Sequence, residues 1–60
     1  MNRHERRDQV NSIAAVILAL KVDHLRERGA TVSDGDRTRL AATSLTDARR
    51  ALNDVEAENP

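Results

Sequence analysis

An all-α chain folded as one antiparallel two-helix hairpin is the expectation for these 60 residues, and three observations carry it. Apolar residues recur at three- and four-residue spacing along two segments, the periodicity of a helix face and not of a strand. Between the segments stand Gly29 and a cluster of Thr, Ser and Asp, residues that stop one helix and cap the next. A chain this short buries a smaller fraction of its surface than a larger domain does, so a single domain over 1–60 is the ceiling.

Helix one is expected over about residues 5–28. Val10, Ile13, Ile17 and Leu20 form one stripe that His24 continues, and Val16 widens it; Ala14, Leu18, Val22 and Leu25 form a second stripe beside the first. The large apolar side chains together span roughly 240° of the helical wheel, whereas a helix packed on one neighbour needs a stripe little more than about 100° wide. Glu5, Asp8, Ser12, Asp23 and Arg26 fill the remaining arc. Arg26 and Arg28 suit the negative end of the helix dipole, Gly29 follows where a left-handed residue is wanted, and Leu25 and Ala30 hold the positions of the accompanying apolar contact.

The connection, 29–34, ends in two overlapping cap signals: Ser33 with Asp36, or Thr31 with Asp34. Helix two is expected over about 35–57 as a one-faced amphipath. Ala41, Leu45, Ala48, Leu52 and Val55 make its stripe, with Leu40, Ser44 and Ala51 along one side. The small residues Ala41, Ala48 and Ala51 admit a neighbouring backbone closely, and Leu45, Leu52 and Val55 are the larger knobs. Asn59 and Pro60 read as a frayed end.

A hairpin sets Arg3, Arg6 and Arg7 near Asp54, Glu56 and Glu58, although each cluster occupies the helix end that its dipole disfavours. Cross-hairpin attraction explains that placement in one reading. In the other, the basic end stays free for an acidic partner or for phosphates.

The surplus of apolar surface on helix one implies that something covers it. A homodimer forming a four-helix bundle, helix one at its centre, removes the exposure, and twofold symmetry makes the shared surface self-complementary. The candidate interface residues on helix one are Val10, Ile13, Val16, Ile17, Leu18, Leu20, His24 and Leu25; on helix two they are Leu45 and Leu52. Either stripe of helix one could face helix two. A higher oligomer, or a foreign helix laid in an apolar groove, are the alternatives.

Ten basic and ten acidic residues cancel to zero formal charge, so no bulk field draws the chain to nucleic acid or anionic lipid. Nine of the ten basic residues are Arg, which a GC-rich coding sequence explains without any demand for guanidinium chemistry. Without cysteine there is neither a disulfide framework nor a thiolate site, and the cytoplasm is the expected compartment. The run Ile13 to Leu20 behind Arg3, Arg6 and Arg7 imitates an export signal. It is too short to span a bilayer, Glu5 and Asp8 interrupt its basic flank, and Lys21 stands where cleavage-site residues belong.

Chemistry finds little footing. No serine has a base at a recognised spacing, no Gly-rich phosphate loop exists with only Gly29 and Gly35 present, and no cofactor is implied. Asp34, Gly35 and Asp36 imitate a fragment of a calcium loop, but the remaining ligands are missing and a cap-and-turn reading is preferred. His24 could meet its copy across a dimer seam as a metal ligand or proton switch; with no second ligand at i+4, it is read as a partly buried, hydrogen-bonded side chain. His4 pairs locally with Asp8 at i+4. Interior packing is expected to leave no cleft for a small-molecule substrate.

These features describe a non-enzymatic interaction or regulatory protein that acts as a dimer on a protein partner, with a phage or mobile-element accessory role as the expected setting. Nucleic-acid binding through Arg3, Arg6 and Arg7 is the second reading, despite the lack of aromatic side chains for base stacking. A structural assembly subunit is the third. In length and layout the chain resembles the Rop family of plasmid copy-control proteins, which are dimeric helical hairpins that bind paired RNA loops. The resemblance is one of architecture alone: no motif aligns, that family's aromatic contact residue has no counterpart, and no residue is carried over.

Overall fold

A computed structural model describes residues 2–58 and shows two helices, α1 (Arg3–Glu27) and α2 (Asp34–Glu58), packed against each other as a hairpin. Asn59 and Pro60, expected to fray, lie outside the described residues.

Each helix end has an identifiable cause. At the start of α1 the Asn2 side chain accepts from the Glu5 backbone N–H at 2.8 Å, and its amide donates to the Glu5 carboxylate at 3.3 Å. This cap begins α1 two residues ahead of the expected start. At the other end Gly29 takes φ +82°. Its N–H bonds the Arg26 carbonyl at 2.9 Å and the Ala30 N–H reaches the Leu25 carbonyl at 2.9 Å, the paired bonds of a Schellman motif, as the order of residues predicts.

Of the two cap signals before α2, the structure selects Ser33 with Asp36. The Asp36 N–H bonds the Ser33 hydroxyl at 3.1 Å and the Ser33 N–H bonds the Asp36 carboxylate at 3.2 Å, a complete capping box with Asp in the place of Glu. The Ser33 backbone N–H and then the Ser33 hydroxyl, helped by the Arg39 guanidinium 3.2 Å away, hold the Asp36 carboxyl below its ordinary value of 3.8.

The core is narrow. Val10 and Ala14 of α1 meet Ala48 and Leu52 of α2, with Ile13, Ile17 and Leu45 packed partly buried against them. Val22 is buried nearer the turn, and Ser44 lies wholly enclosed at mid-seam. Ala14, Ser44 and Ala48 let the two backbones approach, so small side chains occupy the middle of the seam and larger ones its flanks. The seam therefore draws on both stripes of α1, taking Val10 from one and Ala14 and Val22 from the other.

A single layer of helices, 42 × 21 × 12 Å, leaves both broad faces and both outer edges wet. Its accessible surface is 4717 Å², against about 3,900 Å² for a compact monomer of the same mass.

Candidate functional site

The expected interface residues divide into three groups once the seam is placed. Val10 and Leu52 are buried inside the hairpin. Ile13, Ile17, Leu18, Leu25 and Leu45 are half-buried on its flanks. Val16 and Leu20 stand out at 61% and 64% exposure, and His24 is also exposed. That corrects the reading of His24 as a partly buried side chain: the stripe it continues runs along the flank of the seam and not through its centre. Asp8, expected opposite His4, has the Arg7 guanidinium 3.7 Å away.

Val16 and Leu20 are four residues apart and so lie on one side of α1. Ile13 and Ile17 carry that apolar side inward to the seam. The result is a continuous aliphatic strip, half of it open to water, on the part of α1 turned from α2.

The opposite side of α1 borders a groove. Three open surface clefts adjoin along this face, on the outside of the single helix layer. The middle cleft, about 200 Å³, lies among Asn11, Ala15 and Leu18 of α1 and Ala41 and Leu45 of α2. Toward the turn it shares Ala15 and Leu18 with a cleft of about 330 Å³ that continues along Ala19 and Val22 to Arg26 and Arg37. Toward the termini it shares Asn11 with a cleft of about 280 Å³ edged by Arg3, Arg6, Arg7 and Arg49.

The basic end is partly engaged. Arg6 donates to the Glu56 carboxylate and to the Asn53 side-chain oxygen, so the cross-hairpin reading of the arginine cluster holds for this member. Arg3 and Arg7 are exposed, and Arg49 of α2 joins them at the cleft. Arg49 escapes sequence reasoning because its approach to the first turn of α1 depends on the hairpin register. The same holds for Lys21, which reaches across to Asp47 at 3.0 Å and to the Thr43 hydroxyl at 3.2 Å. No local signal gives this contact, because the register in which Arg6 faces Asn53 would set Lys21 opposite Thr38, more than two helical turns from Asp47.

No group of three or more His, Asp or Glu side chains able to hold a metal ion occurs among the described residues. Nor is any helix there long and apolar enough to cross a membrane. What the surface offers is area: an aliphatic strip on one side of α1 and an arginine-ended groove on the other. Comparison with protein-family models, with curated proteins and with solved structures finds no match to this chain.

Proposed function

We propose that the chain is a non-enzymatic interaction protein that works as a homodimer and binds a protein partner, with α1 at the centre of a four-helix assembly. The observation that carries the dimer is the open strip of Val16 and Leu20, at 61% and 64% exposure, flanked by half-buried Ile13 and Ile17. Aliphatic surface is worth about 25 cal/mol per Å² once removed from water. A contiguous strip of such side chains on one helix is better explained by an interface than are scattered exposed leucines.

Area supports the same reading. The hairpin exposes about 800 Å² more than a compact monomer of its mass would, close to what each partner buries in a standard interface. A second copy laid on α1 along a twofold axis meets an identical strip, so Val16 and Leu20 find aliphatic counterparts, while Val55, expected in the stripe of α2 and also exposed, lies outside that strip.

Sedimentation equilibrium of the intact chain and of the double variant Val16→Glu with Leu20→Glu tests this. The wild type is expected to sediment as a dimer at micromolar concentration and the variant as a monomer of reduced helicity, since four buried carboxylates per dimer would lack partners. A folded wild-type monomer under those conditions removes the proposal.

A further inference from the structure

We propose that the groove on the far side of α1 is the docking site for a partner helix that is apolar along one face and acidic at both ends. The inference rests on reading the chain as a protein-binding module, and it deepens that reading by specifying the partner's chemistry.

Position comes first. Leu18 is two residues from both Val16 and Leu20, about 160° away around the helix, so a mate seated on the Val16 and Leu20 strip leaves the groove uncovered. The floor is aliphatic: Leu18 and Leu45 are half-buried there, and Ala15 and Ala19, one turn apart on α1, leave room for a neighbouring backbone. Length comes next. From Arg7 to Arg26 α1 rises about 29 Å at 1.5 Å per residue, which matches a helix of about five turns.

Charge selects the occupant. Arginines stand at both ends of the groove, Arg3, Arg7 and Arg49 at one and Arg26 and Arg37 at the other, and the single acidic residue on its edge is Asp23. Arg3, Arg26, Arg37 and Arg49 make no ion pair among the described residues. Guanidinium groups at each end with an aliphatic stretch between them complement carboxylates at each end of an apolar helix face. A nucleic-acid backbone carries its charge continuously, and over the middle of this groove it would lose hydration against leucine and alanine with no cation to replace it. A second copy's α2 has acidic ends too, but its apolar face is already spent on its own hairpin.

The probe is a synthetic helical peptide of about 20 residues with a Leu and Ala stripe and Glu at both ends, titrated into the full chain and followed by fluorescence anisotropy. Its counterpart carries Lys in place of Glu, and a short RNA duplex is the third ligand. The acidic peptide is expected to bind in a salt-sensitive manner, at least about ten-fold more tightly than the Lys peptide. Leu18→Glu, and independently Ala19→Arg at an exposed position that folding does not depend on, should each weaken that binding by about ten-fold or more while sedimentation mass stays that of the wild type. Equal affinity for both peptides, tighter binding of the RNA duplex, or no binding by the folded protein overturns the proposal. Dissociation of the dimer by Ala19→Arg also overturns it, by making the groove a self-interface. Loss of the dimer on replacing Val16 and Leu20 bears only on the oligomer.

Discussion

Ser44 is, with Ala48, one of the two most enclosed side chains described, at 0% exposure, and its hydroxyl has no hydrogen-bond partner among the described residues. The Leu40 carbonyl, one turn back, accepts from the Thr43 hydroxyl at 3.0 Å. An unsatisfied buried polar group costs about 1 to 3 kcal/mol, and serine is a poorer helix former than alanine. Ser44→Ala is therefore expected to stabilise the chain by about 1 kcal/mol. Urea unfolding checks this as a raised midpoint at unchanged slope, and a lowered midpoint would mean that the hydroxyl finds a partner. Periodicity puts Ser44 beside the stripe of α2, which is correct to within one helical position. The hydrophobic pattern cannot go further, because a serine reads as flank whether it lies at the seam's edge or its centre.

Helix existence and helix ends were legible for different reasons. Both helices follow from spacing alone, and the stop at Gly29 follows from its order after Leu25 and Arg26. The start of α1 falls two residues ahead of expectation although Asn2 with Glu5 three residues on is a helix-start signature, because the apolar periodicity that marks the helix begins only at Val10. For α2, two overlapping signals could be separated only by geometry. The Ser33 and Asp36 box carries a pH signature: because the folded carboxyl titrates below its ordinary value of 3.8, its contribution is complete above that value and is lost as pH falls through the lower folded value. The difference in melting temperature between wild type and Asp36→Ala should thus hold steady from neutrality to about pH 4 and shrink below it. A difference that grows on acidification would contradict the assignment.

At the scale of the whole molecule, one layer of helices with a seam built of Val, Leu and small residues has few side chains fully out of water. If a second copy completes the core, melting temperature should climb with protein concentration, and calorimetry across a hundred-fold range of dilution reads this directly; a constant value would mark a self-sufficient monomer. The sequence exposed the surplus of apolar surface on α1 but not its division. Val16 and Leu20 face away from α2 and Leu18 faces the groove only once the small residues of α2 have set where the seam runs. The seam has a consequence of another kind. The Lys21 ammonium reaches Asp47 and Thr43 along the edge of the joint, where water still has access. Sliding one helix past the other by a turn would bring leucine to places where alanine and serine now let the backbones meet, and would part this ion pair as well. The small side chains thus act as the notches of a key, and the pair adds a preference of only about 0 to 1 kcal/mol to the alignment they set.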